Sequence, residues 1–438
     1  MVLWHPLKTP IERKVSGHKK INAAPPLILC CSFLILITLG ALALKLPFST
    51  YEPISWIQSA FTATSAVTVT GLDVVDTGSV FTPFGQSVIA LLIQLGNKVG
   101  FIQKTVTKAA FNQTDTSTLV NTAKSVLLFA LIVESISVVI LTLYWLPEMG
   151  LQKSFFHALF YTISAFNNAG FALSPNSLML YVEDPVVNLT ITCLFIIGGL
   201  GFTVLTDLYK SKRWAKLSPY SKLMLISTVI INVIALLLIY VIEYDNPKTL
   251  QPLSEIGKWL AAWFQAVTPR TAGFNTIAIE ELKNASTALT MMLMFIGGGS
   301  LSTASGIKVV TFIVLILATY SYLRRDKGVT VLRREIDKES VYKALALTII
   351  SAGVTWLAIF TLLVVEDAPF LDVAFEAVSA LGTVGLSRGL TSSLSPLGEF
   401  IIMFLMFMGR IGPLTIAYFL ASPRTKKLRY PSAQLSIG

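Results

Sequence analysis

A glycine that follows small or hydroxyl-bearing residues recurs four times along the chain, and this pattern has the clearest chemical meaning. The four copies are Thr68-Val69-Thr70-Gly71, Asn167-Asn168-Ala169-Gly170, Arg270-Thr271-Ala272-Gly273 and Gly382-Thr383-Val384-Gly385. Glycine permits a positive φ and a close approach of neighbouring backbones. Backbone carbonyls arranged around an axis can replace the hydration shell of a monovalent cation without any charged side chain. The four copies therefore predict four strands of one cation filter.

A short apolar segment precedes each glycine, and longer apolar runs flank it. The short segments are 54–67, 155–166, 256–267 and 371–381, and the longer runs are 27–46, 126–145, 186–205, 223–242, 341–365 and 400–420, with two more starting near 81 and 287. A run of about 20 apolar residues can cross a bilayer, whereas the short segments cannot. Irregular backbone at membrane depth is tolerated only inside protein or beside a water-filled cavity. We expect an all-α integral membrane protein with four pseudo-symmetric helix–pore-loop–helix repeats around one central pore.

The distribution of charge predicts how the chain is divided and oriented. Lysines and arginines cluster at the repeat junctions and at both ends, while acids predominate on the opposite side. Because cytoplasmic loops carry an excess of Lys and Arg, both termini are expected in the cytoplasm. The predicted divisions are a cytoplasmic segment 1–26, repeats 27–123, 124–217, 218–338 and 339–420, and a cytoplasmic tail 421–438.

The composition excludes several classes of protein. Of the 438 residues, 54% are hydrophobic and only 13% are charged, which is far from the balance of a soluble domain. The net charge of +10 does not indicate nucleic-acid binding, because the basic residues lie between apolar runs. The histidines His5, His18 and His157 have no nucleophile or carboxylate at a catalytic spacing, so we expect no enzyme activity.

The stretch 297–308 interrupts an apolar run that would otherwise span the membrane. Its polar and glycine residues are Gly297, Gly298, Gly299, Ser300, Ser302, Thr303, Ser305, Gly306 and Lys308. This composition disfavours a continuous helix. Two interpretations stay open from the residues alone, namely a kinked helix packed through its glycines and a mobile intramembrane loop that blocks the pore below the filter.

Three charged residues also lie in or beside apolar segments. Arg410 lies within the last run, where it either faces a cavity or forms a structural salt bridge, because a charge facing lipid is costly. Glu134 is either a proton relay or a helix-packing contact, and packing is favoured. Arg270 is expected to brace the third glycine segment without coordinating a cation.

The repeated glycine segments and the 297–308 stretch together resemble the Trk/Ktr/HKT superfamily of cation transporters, and within it the membrane subunits of bacterial Ktr potassium uptake systems. The resemblance covers nearly the whole chain. It implies a channel-like subunit for potassium uptake, and uptake in this superfamily is often sodium-dependent. K⁺ at the filter is the only metal expected, and Na⁺ is a possible second ion. It also implies that the 297–308 loop and Arg410 form a barrier below the filter. An alternating-access carrier coupled to an ion gradient is the alternative, but four parallel repeats with re-entrant segments argue against it.

The same resemblance implies the partners and the location. The chain is expected to form a homodimer in the bacterial inner membrane, in contact with lipid and with a cytosolic ring of RCK-type nucleotide-binding regulatory subunits (KtrA-like). The chain has no G-x-G-x-x-G fingerprint after a strand, so we expect no organic cofactor bound by this chain.

One segment departs from the family pattern. The second repeat carries Gly198-Gly199-Leu200-Gly201-Phe202, whereas the first carries Gly96-Asn97-Lys98-Val99-Gly100 followed by a polar stretch up to Lys124. We therefore expect the outer helix of the first repeat to be cut short or rebuilt.

Overall fold

The computed structural model describes residues 25–112, 116–211, 213–300 and 302–412, and nearly all of this part of the chain is helical. The segment 1–24 and the tail 421–438 lie outside the described residues, so the predictions for them stay untested. The helices of the first half are α1 (Pro25–Leu44), α2 (Trp56–Thr68), α3 (Thr77–Val80), α4 (Pro83–Asn112), α5 (Thr116–Met149), α6 (Leu151–Phe166), α7 (Pro185–Leu200) and α8 (Phe202–Ser211).

The second half follows the same alternation of long and short helices. Its elements are α9 (Pro219–Glu243), α10 (Glu255–Val267), α11 (Asn284–Phe295), α12 (Val309–Leu323), β1 (Val329–Val331), β2 (Arg334–Ile336), α13 (Lys338–Val365), α14 (Phe370–Gly382) and α15 (Pro396–Ile411). Short 3₁₀ turns lie at Met179–Tyr181, Trp214–Lys216 and Thr391–Ser393.

Four of the described helices are long and apolar enough to cross a membrane. They contain the segments Leu27–Leu44, Leu128–Met149, Pro219–Glu243 and Lys338–Val365, and a fifth span results if α7 and α8, which meet at a bend of 94°, are counted together. Large apolar side chains such as Leu143, Val241 and Trp356 are exposed on these helices, as lipid-facing positions require. The prediction of a helical, multi-pass membrane protein is therefore confirmed.

The four short helices α2, α6, α10 and α14 begin and end within a few residues of the predicted segments. Their starts follow from local chemistry in two cases. Ser55 and Gln58 form a reciprocal capping box at the start of α2, and the Ser254 hydroxyl accepts a hydrogen bond from the Gly257 N–H at the start of α10. Helices α2 and α14 end at the first residue of a glycine segment, α6 ends directly before one, and α10 ends three residues before one.

The helices pack in a closed cyclic order. The short helices α2, α6 and α14 pack against the helices that flank them on both sides in sequence, and α10 packs against α9. Between these groups, α4 packs against α6, α7 against α10, α11 against α14, and α15 against α2. The last contact brings the end of the described chain back to its beginning, and the four glycine segments converge at the centre.

The expectation that the outer helix of the first repeat is cut short is wrong. Helix α4 runs without a break from Pro83 through Asn97 and Lys98 to Asn112. Lysine, glutamine and alanine, which are frequent in this stretch, are good helix formers, so a polar sequence does not end the helix.

The run that starts near 287 is broken, as its glycines indicate. Helix α11 ends at Phe295 and α12 begins at Val309, and an isolated parallel bridge joins Ile296 to Ile307 across the gap. This geometry excludes a kinked continuous helix. The small hairpin β1–β2, in which Val329 pairs with Ile336, follows α12 and was not anticipated by the sequence pattern.

Candidate functional site

The four glycine segments share one backbone conformation. The residue two places before each glycine is in the left-handed region, and these residues are Val69 (φ 58°), Asn168 (φ 59°), Thr271 (φ 74°) and Thr383 (φ 50°). The glycines themselves also have positive φ, namely Gly71 (94°), Gly170 (73°), Gly273 (78°) and Gly385 (92°). For a β-branched residue this conformation is strained by about 1–3 kcal/mol and persists only where the surroundings enforce it.

Backbone hydrogen bonds tie each segment to the end of its short helix. In three segments the residue before the glycine donates to the carbonyl five residues earlier, in the pairs Thr70–Ser65 (2.8 Å), Ala169–Ser164 (2.8 Å) and Val384–Ser379 (2.9 Å). In the third segment Ala272 donates to Thr268 at 3.0 Å, four residues earlier. A serine stands six places before the glycine in the other three segments, whereas Thr268 stands five places before Gly273, which agrees with this shorter turn.

Hydroxyl side chains brace three of the segments. The Ser65 Oγ accepts a hydrogen bond from the Gly71 N–H at 3.0 Å, while Ser164 donates to the carbonyl of Phe171 at 2.8 Å. Thr268 donates in the same way to the carbonyl of Phe274 at 2.5 Å. These bonds hold the backbone on either side of the glycines and leave carbonyl oxygens free for other partners.

The four glycines touch one another in a closed ring. A Cβ added to Gly71 would collide with the carbonyl oxygen of Ala169 in the second segment. A Cβ added to any of the other three glycines would likewise collide with the backbone of the next segment around the ring. The further overlaps are Gly170 with the Cα of Gly273, Gly273 with the carbonyl of Val384, and Gly385 with the carbonyl of Thr70. Only glycine fits at these positions, because positive φ and contact with neighbouring backbone coincide.

The ring has a negative electrostatic environment. The C-terminal ends of α2, α6, α10 and α14 all point at it, and a helix C-terminus carries about half a negative charge. Asp73 follows the first segment and is exposed, but the protein around it displaces much of its water. This desolvation, with a further contribution from the Asp76 carboxylate, raises the pKa of Asp73 to about 7.

The loop 297–308 is held by backbone contacts to the end of α7. The N–H of Gly299 donates to the carbonyl of Gly199 at 2.8 Å, and the N–H of Thr303 donates to that of Gly198 at 3.3 Å. A Cβ on Gly299 would collide with the carbonyl of Leu200. The loop glycines thus serve close backbone packing.

Further hydrogen bonds hold the backbone of the loop, most of them from side chains of the loop itself. The Ser302 hydroxyl donates to the carbonyl of Gly299 at 2.7 Å, and the Ser300 N–H donates to the Tyr220 hydroxyl at 3.0 Å. Lys308 donates from Nζ to the carbonyls of Ala304 (2.9 Å) and Ser305 (3.2 Å).

The other glycines of the loop also take part in its packing. The N–H of Gly297 donates to the carbonyl of Ile307, and a Cβ on Gly298 would collide with Ala304. Gly306 has a φ of 68°.

The loop also contacts a glycine segment directly. Thr303 donates from Oγ1 to the Asn168 Oδ1 at 2.7 Å, and Asn168 in turn donates to the Thr271 hydroxyl at 3.4 Å. The loop is therefore bonded directly to the second glycine segment, and that segment is bonded to the third.

Arg410 joins α15 to the same loop. Its side chain is 3% exposed, and Nη1 donates to the carbonyl of Thr303 at 2.6 Å and to Ser305 Oγ at 3.3 Å. Nη2 donates to the amide oxygen of Asn97 at 3.1 Å. No carboxylate of the described residues forms an ion pair with Arg410, so the salt-bridge interpretation finds no partner in this part of the chain.

Arg270 has the bracing contacts that were expected of it. It donates from Nη1 to Asn232 Oδ1 at 2.8 Å and from Nη2 to the Thr228 hydroxyl at 3.4 Å, both on α9. The guanidinium is thereby directed away from the glycine ring and towards the flanking helix.

Comparison with known proteins identifies the family. A family model described as a cation transport protein, TrkH, matches residues 27–429. The chain belongs to the TrkH family of cation transport proteins.

Relatives match this TrkH-family chain over nearly its full length. The "Ktr system potassium uptake protein B" of Bacillus subtilis is 45% identical over 436 residues, covering 96% of this chain and 98% of the relative. The protein of the same name in Vibrio alginolyticus is 40% identical, covering 96% of each chain. The "Potassium/sodium uptake protein NtpJ" of Enterococcus hirae is 32% identical, covering 95% of this chain and 97% of the relative. These relatives are transport proteins and not enzymes.

A solved structure of the family has the same fold. The potassium transporter TrkH from Vibrio parahaemolyticus superposes with a TM-score of 0.78 at 20% identity, covering 93% of this chain and 87% of that chain. The likeness concerns the fold.

In this TrkH-family chain, sequence reasoning missed the part played by Asn97. A Cβ on Gly96, Gly198 or Gly409 would collide with a carbonyl at the end of a short helix, so these glycines occupy equivalent places. The residues that follow them are Asn97, Gly199 and Arg410. Asn97 and Arg410 thus occupy matching positions on α4 and α15, and they are hydrogen-bonded to each other. The Gly96-Asn97 departure in the sequence was the available signal.

Proposed function

We propose that this chain is the channel-like, potassium-conducting membrane subunit of a Ktr-type uptake system. The observation that carries the proposal is the closed ring of four glycines, at which four helix C-termini meet. Such a ring offers carbonyl oxygens and a negative potential to a monovalent cation that has lost its water. The names of the relatives from B. subtilis and V. alginolyticus support potassium as the ion.

In this proposal the chain forms four pseudo-symmetric helix–pore-loop–helix repeats around one central pore. The filter consists of Thr68 to Gly71, Asn167 to Gly170, Thr271 to Gly273 and Gly382 to Gly385, which coordinate the ion mainly through carbonyls. The loop 297–308 and Arg410 form the barrier below the filter. The contacts of Thr303 with Asn168 and with Arg410 support this assignment, because they link the loop to both.

The wider setting is part of the same proposal. The subunit works as a homodimer in the bacterial inner membrane with both termini in the cytoplasm, controlled by a cytosolic ring of KtrA-like nucleotide-binding subunits. Sodium dependence is included, and the name of the E. hirae relative, which mentions both ions, supports it.

Flux through the purified protein in liposomes tests the proposal. We expect passive K⁺ and Rb⁺ flux down their gradients, with Na⁺ flux much smaller when Na⁺ is the only cation. A fixed stoichiometry between K⁺ and a second ion, retained at every gradient, would instead indicate an alternating-access carrier. Adding KtrA-like subunits with different nucleotides is expected to change the rate.

A further inference from the structure

Five side chains form a continuous line of hydrogen bonds from α5 to Arg410. Glu134 accepts from Gln94 Nε2 at 3.2 and 3.4 Å, and Gln94 Oε1 accepts from Asn167 Nδ2 at 2.9 Å. Asn167 Oδ1 accepts from Asn97 Nδ2 at 2.6 Å, and Asn97 Oδ1 accepts from Arg410 Nη2 at 3.1 Å. Three amides thus connect a carboxylate to a guanidinium, and we name this line the amide relay.

The two ends of the amide relay fix the orientation of its three amides. A guanidinium has only donors, so Asn97 must present its oxygen to Arg410 and its NH₂ group to the next residue. Asn167 and Gln94 follow in the same head-to-tail order. The order can end only at an acceptor, and both carboxyl oxygens of Glu134 accept from Gln94. Glu134 therefore completes the relay in a way that an apolar side chain cannot.

The burial of these side chains makes the orientation of the three amides important. Glu134, Asn97 and Asn167 are 8%, 7% and 1% exposed, and with Gln94 and Lys98 they line a cavity of about 350 Å³ between α4, α5 and α6. In surroundings of low dielectric constant, a hydrogen bond is stronger and an unpaired polar group is costlier than in water. A helix-packing contact would require only the Glu134–Gln94 pair, whereas the relay continues into a glycine segment and on to the barrier.

We infer that Glu134 is a positioning residue for Arg410, acting through Gln94, Asn167 and Asn97 to hold the guanidinium beneath the filter. The loop holds Nη1 of Arg410 through the carbonyl of Thr303, and the relay holds Nη2 through Asn97. This inference rests on the proposed function of Arg410 as a barrier. It gives the intramembrane carboxylate a part in setting the rate of ion passage without any contact with the ion.

Rb⁺ flux through the full-length protein in liposomes tests the inference with a matched pair of substitutions. Glu134→Gln keeps an acceptor for Gln94, whereas Glu134→Leu removes it. We expect Glu134→Leu to raise flux by about threefold to tenfold, an effect of the size found between residues of one hydrogen-bond network. We expect Glu134→Gln to keep most of the normal rate. Glu399→Leu is the control, because Glu399 is a buried carboxylate of α15 outside the relay.

The same substitutions in an Arg410→Ala background decide whether the effect passes through Arg410. We expect Glu134→Leu and Glu134→Gln to conduct equally there, because the relay has nothing left to position. An undiminished effect of Glu134→Leu in that background overturns the inference while leaving the barrier intact. If Arg410→Ala alone leaves flux unchanged, the barrier proposal fails, and the relay with it.

A folding failure of Glu134→Leu does not end the test. Asn97→Leu breaks the relay at its other end, and its effect on flux is likewise expected to vanish in the Arg410→Ala background. Size-exclusion profiles and thermal stability in detergent show which variants are folded. An Asn97→Leu effect that persists without Arg410 counts against the relay.

Discussion

Nη1 of Arg410 lies 2.6 Å from the carbonyl oxygen of Thr303, so the guanidinium donates a hydrogen bond from the last described helix to the backbone of the loop 297–308. Thr303 in turn donates to Asn168 of the second glycine segment. One residue of the loop is therefore linked both to Arg410, the proposed barrier residue, and to the proposed filter. A substitution at any of these three positions should alter the hydrogen bonds of the other two.

Replacing Arg410 should speed ion passage. Arg410→Ala removes a positive charge from the path and releases the Thr303 carbonyl, and a barrier lower by about 1.4 kcal/mol corresponds to a tenfold faster flux. Arg410→Lys is the matched control, because it keeps the charge but cannot reproduce a planar fork that serves Thr303 and Asn97 together. Rb⁺ flux in liposomes is the measurement. A slower flux from well-folded Arg410→Ala protein would contradict the barrier.

The glycine ring predicts a specific effect of side chains on selectivity. Gly71→Ser places a Cβ against the carbonyl of Ala169 and should weaken discrimination against Na⁺ by about tenfold while the protein still folds. Gly389→Ser is the control. Gly389 has nearly the same φ, 93° against 94°, but a Cβ there meets nothing within 4 Å.

Relative K⁺ and Na⁺ flux separates the two effects in this pair. Backbone strain is common to both variants, whereas only Gly71→Ser displaces a neighbouring segment. Equal losses of selectivity in the two variants would show that the ring contact is not responsible.

Much of the helical framework could be predicted because its signals are local. The starts of α2 and α10 follow from Ser55 and Ser254, and the four short helices end where the glycine segments begin. The pairing of Asn97 with Arg410 could not be predicted, because 313 residues separate them and only packing brings them together. The division into repeats and the roles of the filter and loop residues stay predictions.

Helix α4 shows a different limit. Its polar stretch led to the expectation of a shortened helix, although polarity reports the surroundings of a side chain and not the backbone conformation. Lys98 lies within an unbroken helix, beside the cavity that Gln94, Asn97 and Glu134 also line. The hydrophobic pattern alone cannot distinguish a helix that ends from a helix that enters a polar environment.

The loop 297–308 should respond to both removal and stiffening. Deleting residues 298–303 removes the contacts with Gly198 and Gly199 and should raise K⁺ flux and abolish its control by regulatory subunits. Gly299→Ala tests packing alone, since its Cβ collides with the carbonyl of Leu200, and Gly353→Ala on α13, where a Cβ meets nothing within 4 Å, is its control. Flux and regulation that are unchanged after the deletion would refute a gate.

Uptake at low external K⁺ should depend on pH through Asp73. Desolvation, and then the nearby Asp76 carboxylate, raise the pKa of Asp73 to about 7, so the group is charged above this value and neutral below it. A negative charge beside the ring concentrates cations. We therefore expect uptake at limiting K⁺ to fall as the external pH decreases through 7, and to be insensitive to this change at saturating K⁺.

Two substitutions assign this titration to Asp73. Asp73→Asn should flatten the profile at the lower level of uptake. Asp76→Asn should move the midpoint to lower pH, because it removes the carboxylate charge that raises the Asp73 pKa while asparagine can still cap α3. Initial Rb⁺ uptake into cells or liposomes, measured from external pH 5 to about 8.5 at fixed internal pH, gives the midpoint. A profile that keeps its shape in Asp73→Asn would assign the titration to another group.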